Sequence, residues 1–378
     1  LVTTPLIYFA SFYYGKTGGV MVTASHNPPE WNGFKIWLRT RFLGMGTGLE
    51  KIRDIALQGV FKPAPRGELR KNPDAIKDYE RFILDKVNIE RRFSIVVDPG
   101  NGSCSIFTPD IFEKAGMNVI AINAEPDGSF PAHPPEPSEE TLTELKKLVV
   151  EKKADFGVGF DGDGDRAVFV DDKGRVVPET LIIMILAEEY LKKNRGATIV
   201  YEVSCSMLIE EAIRAYGGKP VVSRTGHPHV IDKMLRENAV FGGETSGHFY
   251  FKDLYGFDDA LYASLKIAEV LSKRGEKLSE IVDSTPMYPR IPGKKYDCPD
   301  DVKFRVVEEL TREFKRSGYR IVTIDGVKVI EDDGWFLIRA SNTQPLIRLT
   351  VEARDEDSLN NLLSFAERKI LEKIRELT

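Results

Sequence analysis

At 378 residues the chain is too long for one hydrophobic core, so roughly two to four domains are expected. With 42% hydrophobic and 29% charged residues it reads as an ordinary water-soluble globular protein. A formal charge of −5 supplies no basic field for nucleic acid or a membrane surface, so a phosphate-bearing ligand needs locally focused positive charge.

In chain order, residues 4–14 read as a helix stopped by Gly15, 18–23 as a short apolar strand, and Ala24-Ser-His-Asn-Pro-Pro29 as a loop. Residues 94–98 form a strand that enters the turn Pro99-Gly-Asn-Gly102, followed by a helix to Gly116 and a strand over 118–122. The same order returns as strand 198–201, helix 207–216, a Gly217-Gly218 stop and strand 220–223. Strand, helix, glycine stop and strand is the pattern of a parallel sheet, and its return predicts tandem copies of one α/β domain. The longest apolar run, 181–187, is too short to span a bilayer, and no charged n-region and apolar h-region open the chain. Cys104, Cys205 and Cys298 are odd in number and scattered, which predicts buried thiols in a reducing, cytoplasmic compartment.

Proline and glycine clusters mark joints at Lys62-Pro-Ala-Pro-Arg-Gly67 and from Thr285-Pro to Ile291-Pro-Gly. Beyond the second joint the character changes. A helix over 302–317 precedes strands at 319–325, 327–330, 335–340 and 346–353, and a charged amphipathic helix closes the chain, which predicts an α+β domain. Trp31, Trp37 and Trp335 are read as packing residues.

Four loops carry chemistry. In Asp161-Gly-Asp-Gly-Asp-Arg166, three carboxylates at alternate positions can turn inward around one hard cation, and the glycines permit the tight turn. A calcium EF-hand would need flanking helices and a glutamate about six residues after its glycine; here the flanks are strands. Asp171-Asp-Lys-Gly174, just downstream, is a plain turn. In Thr23-Ala-Ser-His-Asn-Pro28, Ser25 can serve as a nucleophile if activated, with His26 and Lys35 as sources of charge or proton transfer. A surface polar turn fits those residues as well, and no G-x-S-x-G elbow surrounds the serine. Gly242-Gly-Glu-Thr-Ser-Gly-His248 offers hydrogen-bond partners for sugar hydroxyls, or is a structural turn. Arg339-Ala-Ser-Asn-Thr-Gln-Pro345 sets a guanidinium fork beside hydroxyls and backbone N–H groups, which suits a phosphate dianion. Pro99-Gly-Asn-Gly102 lacks the rest of a nucleotide-binding fingerprint and is read as a strand-to-helix turn.

In this order and at this spacing the four loops resemble the α-D-phosphohexomutase superfamily, and the resemblance covers essentially the whole chain. Their wording is similar to the bacterial and archaeal phosphomannomutase/phosphoglucomutase members; phosphoglucosamine mutases, which usually read Ser-Gly-Thr in the last loop, are the alternative. The family's chains begin earlier, with an arginine-bearing motif, and Ser204 stands where some members carry a lysine. The resemblance implies an α/β fold: three tandem mixed α/β domains of similar topology plus a C-terminal α+β domain, around a central cleft. The expected division is 1–68, 69–177, 178–290 and 291–378.

It also implies a phosphoserine at Ser25, with catalytic support from His26, Lys35 and Arg166. One Mg2+ would sit on Asp161, Asp163, Asp165 and the seryl group. Substrate contacts are expected from Arg224, His227, Glu244, Ser246 and His248, and phosphate contacts from Arg339, Ser341, Asn342 and Thr343. The implied reaction moves phosphate between carbons 1 and 6 of mannose or glucose phosphate, with a hexose 1,6-bisphosphate as intermediate and activator. Small-molecule sugar phosphates are the expected partners, with no nucleic acid or membrane, in a monomer or homodimer.

Overall fold

The computed structural model describes residues 1–38, 41–44, 46–341 and 344–378. It opens on helix α1 (Thr4–Tyr13), where the Thr3 hydroxyl accepts from the Leu6 N–H and Pro5 occupies the first turn. Strands β1 (Gly18–Val22), β2 (Phe34–Leu38) and β3 (Arg41–Leu43) then form an antiparallel meander before helix α2 (Leu49–Gln58). Side chains alternate across this sheet: Met21 and Trp37 turn onto Tyr8 and Phe42, while Val20, Val22, Phe34 and Leu38 are exposed on the other face. Trp31 is 64% exposed on the loop between β1 and β2, so the packing role expected of it fails, whereas Trp37 and Trp335 are buried.

The second unit comprises α3 (Ala75–Leu84), β4 (Ser94–Asp98), α4 (Thr108–Lys114), β5 (Asn118–Ala121), α5 (Thr143–Glu151), β6 (Phe156–Phe160) and β7 (Ala167–Asp171). Its sheet runs β5-β4-β6-β7, parallel except for the antiparallel edge strand β7. The helix expected from the 99–102 turn to Gly116 is broken into a 3-10 turn, Ser103–Ile106, and α4. Pro109 in the first turn of α4 has no N–H to continue a helix from the preceding turn.

The third unit repeats the plan with α6 (Glu179–Lys193), β8 (Thr198–Glu202), α7 (Met207–Ala215), β9 (Lys219–Ser223), α8 (His227–Arg236), β10 (Phe241–Gly243), β11 (Phe249–Phe251), β12 (Phe257–Asp258), α9 (Ala260–Arg274) and α10 (Leu278–Ser284). The sheet order is β12-β11-β10-β8-β9, with β8 parallel to both β9 and β10. The apolar run at 181–187 lies in α6, which is buried on nearly all sides and shares one core with α1, α9 and the second unit. Among the described residues no helix is long and apolar enough to cross a membrane.

The fourth unit holds β13 (Arg290–Asp297), α11 (Lys303–Arg316), β14 (Arg320–Val322), β15 (Val327–Ile330), β16 (Gly334–Ala340), β17 (Leu346–Ala353) and α12 (Glu356–Leu377). Its antiparallel sheet runs β13-β17-β16-β15-β14 and has its own core under α11 and α12. The joint expected to end at Ile291-Pro-Gly is instead the start of a strand. Pro292 and Gly293 fall where the register shifts between Ile291 and Lys294, on an edge strand that tolerates a missing N–H. All three cysteines are buried and free.

Candidate active site

The acidic loop connects β6 to β7 at the end of the second sheet, and its three carboxylates are almost wholly buried. Asp161 Oδ1 accepts from the Asp165 and Arg166 N–H groups, both at 3.1 Å, which curls the loop around its own first side chain. Asp163 Oδ2 accepts from Thr4 Oγ1 at 2.7 Å and lies 2.7 Å from Lys35 Nζ, which also pairs with Asp165. Burial raises the Asp161 pKa, and the charges of Asp165 and Asp163 raise it further. Burial also works against the charged forms of Asp165 and Lys35, but opposite charges outweigh it: Lys35 with His248 and His227 pushes the carboxyl down, and Asp165 with Asp163 and Asp161 pushes the amine up.

These residues fit a hard divalent cation. Ligand oxygens of Asp161, Asp163 and Asp165 lie within 4.8 Å of one another, and Asp163 Oδ1 and Asp165 Oδ1 are buried without a hydrogen-bond partner.

Ser25 reaches this cluster from the loop between β1 and β2. Its Oγ donates to Asp161 Oδ2 at 3.4 Å, and His26 Nδ1 stands 3.3 Å from Ser25 Oγ. The serine sits at φ +57°, left-handed backbone that a non-glycine residue adopts only when its surroundings impose it. Thr23 Oγ1 imposes part of it by accepting from the Ser25 N–H at 2.8 Å. The acidic loop presses close: a β-carbon at Gly162 would meet the Ser25 carbonyl at 2.5 Å, so only glycine permits this approach. The 99–102 turn serves as a cradle for that loop, the Ser103 N–H donating to the Gly162 carbonyl.

The loop between β10 and β11 carries Glu244, Ser246 and His248. The Ala167 N–H donates to the Gly247 carbonyl, tying this loop to the end of the acidic one. Arg166 Nε donates to His248 Nε2 at 3.0 Å. Asp165 and Asp258 favour the protonated His248 ring against burial, yet an N–H aimed at Nε2 can be accepted only by the neutral ring. Ser246 is exposed and, with Arg166 and Thr245, lines a cavity of about 300 Å³. Glu244 is buried, one oxygen accepting from the Gly226 N–H and the other from Tyr250 OH, each at 2.7 Å; a sugar hydroxyl would have to use the remaining lone pairs.

Arg339 ends β16. Its guanidinium donates to Thr225 Oγ1 at 2.9 Å and pairs with Asp325 at 3.1 Å, so the fourth unit meets the third beside the Arg224–His227 turn. Arg224 is itself 3.9 Å from Asp325, and His227 heads α8 with Nε2 on Asp258. Ser341 is buried and accepts from the Gln344 N–H; Asn342 and Thr343 lie outside the described residues. The four loops thus form one connected network.

Sequence reasoning missed two buried carboxylates within this network. Glu202, at the end of β8, accepts from Ser204, Thr225 and Thr245. Asp258, at the end of β12, holds both His227 and His248. The available clue was a carboxylate inside an apolar strand, which must find partners when buried.

Comparison with known proteins accords with this geometry. Family models described as phosphoglucomutase/phosphomannomutase alpha/beta/alpha domains I, II and III match residues 1–56, 76–174 and 180–288, and the C-terminal domain matches 295–368. A phosphoglucomutase/phosphomannomutase of Thermococcus kodakarensis is 35% identical over 99% of this chain and 83% of the relative. A probable phosphoglucosamine mutase of Methanothermobacter thermautotrophicus is 38% identical over 94% of this chain and 79% of the relative. The crystal structure of a phosphoglucomutase/phosphomannomutase family protein from Burkholderia thailandensis superposes with a TM-score of 0.90 at 31% identity, covering 99% of this chain and 82% of that one. With four domain models in chain order, relatives that match along nearly all of this chain and a shared fold around these loops, the chain belongs to the phosphoglucomutase/phosphomannomutase family of phosphohexomutases.

Proposed function

We propose that the protein moves a phosphoryl group between carbon 1 and carbon 6 of mannose or glucose phosphate, through a phosphoserine at Ser25 and a hexose 1,6-bisphosphate. The observation that carries this reading is the Ser25 hydroxyl, on left-handed backbone, reaching Asp161 in the buried cluster of Asp161, Asp163 and Asp165. Asp161, Asp163 and Asp165 would hold a magnesium ion, which would supply charge neutralisation for the transferring phosphoryl group.

The chain's own groups do the rest. Arg339 and Ser341, with Asn342 and Thr343, hold the phosphate already on the sugar and so present the free hydroxyl to phosphorylated Ser25. The bond from phosphorus to Ser25 Oγ breaks as the bond to the sugar oxygen forms. The hydroxyl proton passes to a group beside Ser25, and His26, 3.3 Å from Oγ, has the geometry for it. Lys35 and Arg166 remain as fixed positive charges beside the transferring group. After the bisphosphate turns over, Ser25 takes the other phosphate back. A hexose 1,6-bisphosphate therefore primes a chain that has lost its seryl phosphate.

A second reading concerns the sugar, because relatives named probable phosphoglucosamine mutase are as similar as those named for mannose and glucose. The test is to incubate the full chain with Mg2+ and glucose 1,6-bisphosphate, offering the 1-phosphates of mannose, glucose and glucosamine. Hexose 6-phosphate should form, and intact mass should show one phosphate adduct. Ser25→Ala should lose the adduct and at least about 10³-fold in kcat. Release of inorganic phosphate in place of 6-phosphate sinks the mutase mechanism, and glucosamine 1-phosphate as the best substrate selects the second reading.

A further inference from the structure

Asp258 belongs to none of the four loops, yet it is completely buried between two imidazoles of the site. Its Oδ1 lies 2.7 Å from His227 Nε2 and its Oδ2 lies 2.6 Å from His248 Nδ1. A carboxylate only accepts, so the ring nitrogen facing each oxygen carries the proton. In the neutral His248 ring the lone pair is then on Nε2, and the Arg166 Nε–H is directed at that nitrogen at 3.0 Å. A guanidinium has donors only, so this contact requires the proton of His248 to stay on Nδ1.

The arrangement is directional and rigid. Asp258 is paired to Tyr250 in the sheet, and the next residue, Asp259, caps α9 through the Tyr262 N–H at 2.9 Å and accepts from Tyr79 OH at 2.6 Å. The backbone under Asp258 therefore cannot shift to follow a moving ring. Arg166 has weaker holds elsewhere: Glu136 is 3.9 Å away and Asp161 4.0 Å away, so its short contact is the one with His248.

We propose that Asp258 is a positioning residue for phosphoryl transfer: it locks His248 in the Nδ1–H tautomer, and the ring in turn holds the Arg166 guanidinium toward Ser25 and the transferring phosphoryl group. The last step rests on the phosphoryl-transfer reading above, while the lock itself does not. The catalytic contact is made by Arg166, and Asp258 acts through two hydrogen bonds without touching substrate. Without the carboxylate, His248 is free to carry its proton on Nε2, where it opposes the Arg166 N–H and turns the guanidinium away.

The tautomer is measured first, on the wild-type full chain labelled with 15N-histidine. The chain has five histidines, and His248→Gln assigns the signal. His248 should show a protonated Nδ1 and a bare Nε2; protonation at Nε2 overturns the lock, whatever becomes of any variant. Kinetics follow. Asp258→Ala should lower kcat by about 10–100-fold, the usual effect of removing a partner that orients an active-site group, with KM changed by less than about threefold. In an Arg166→Lys background, which has no Nε–H to aim, the same substitution should cost no further kcat. If the two losses multiply, or if KM alone rises, Asp258 is not acting through Arg166 and the proposal fails. If the wild type shows the expected tautomer but makes no hexose 6-phosphate, the phosphoryl-transfer reading falls, and with it the role given to Arg166.

Discussion

Asp163 shows what a buried charge asks of its surroundings. One of its oxygens is satisfied by Thr4 and Lys35, and the other is buried without a hydrogen-bond partner, as is one oxygen of Asp165. Such atoms are expensive unless something completes them. If a divalent cation does, Mg2+ at about a hundred times its Kd should stabilise the wild type by about 2.7 kcal/mol. Thermal or chemical unfolding in EDTA and in Mg2+ reads this without an activity assay. Asp163→Asn should keep the Thr4 contact and lose the Mg2+ shift. Equal shifts in variant and wild type would remove the aspartates from the metal site. At this scale the sequence was a good guide to residue type, since three carboxylates spaced by glycine have few other uses. It was silent on the left-handed backbone of Ser25 and on the internal hydrogen bonds of Glu244, because both depend on how separate elements are brought together by the fold.

Helix α9 illustrates how an element end carries pH dependence. Asp259 caps it, and burial pushes that carboxyl up to about 7, with the charge of Asp258 adding to the effect and the N–H and O–H donors of Tyr262 and Tyr79 opposing it. An unfolded aspartate titrates near 3.9, so between about pH 4 and 7 the folded state binds more protons and stability falls as pH rises. Asparagine caps as well and has no such titration. Asp259→Asn should therefore gain stability relative to wild type on going from pH 5 to pH 8. At pH 5 Asp259→Ala should lose about 1 kcal/mol of capping and more from the unpaired Tyr79 hydroxyl, and the deficit relative to wild type should shrink by pH 8 because alanine does not titrate either. Denaturation curves at the two pH values decide it; a difference between Asn and wild type that does not move with pH contradicts the titration. Element types were largely legible from periodicity. The break at Pro109 and the strand through Pro292-Gly293 were not, because proline and glycine end some elements and merely interrupt others, and the sheet edge decides which.

At the scale of the whole molecule, the fourth unit docks on the third through a small apolar cluster of Val203, Trp335 and Leu337, with charged groups buried beside it. Glu352 accepts from the Met207 N–H at the start of α7 and from Trp335 Nε1. Lys328 Nζ donates to the Val203 carbonyl at 2.9 Å and lies 3.6 Å from the Trp335 ring centroid. Burial lowers the Lys328 pKa to about 8, with Cys205, Glu202 and Glu352 opposing and Arg290 assisting. An undocked lysine titrates near 10.4, so below about pH 8 the docked ammonium carries a constant penalty, which is relieved as pH rises toward 10. The stability of wild type relative to Lys328→Met should therefore increase from pH 7 to pH 10, followed by Trp335 fluorescence during denaturation. A flat difference would mean that the amine is hydrated at this junction.

The sequence by itself determined the family, the order of the four chemical loops and the repeated α/β plan, because these depend on short spacings and on patterns that local physics imposes. Its residues placed Ser25 in one loop and Asp161, Asp163 and Asp165 in another, and only the family resemblance joined the two. Tertiary structure decided that Ser25 faces Asp161 across 136 positions of chain, that Lys35 neutralises two aspartates, and that Asp258 orients two histidines. Those facts follow from sheet registers and shared cores, where contact is made by residues with no sequence relation to one another. A buried aspartate in an apolar strand announces that it needs partners; only the folded chain says which they are.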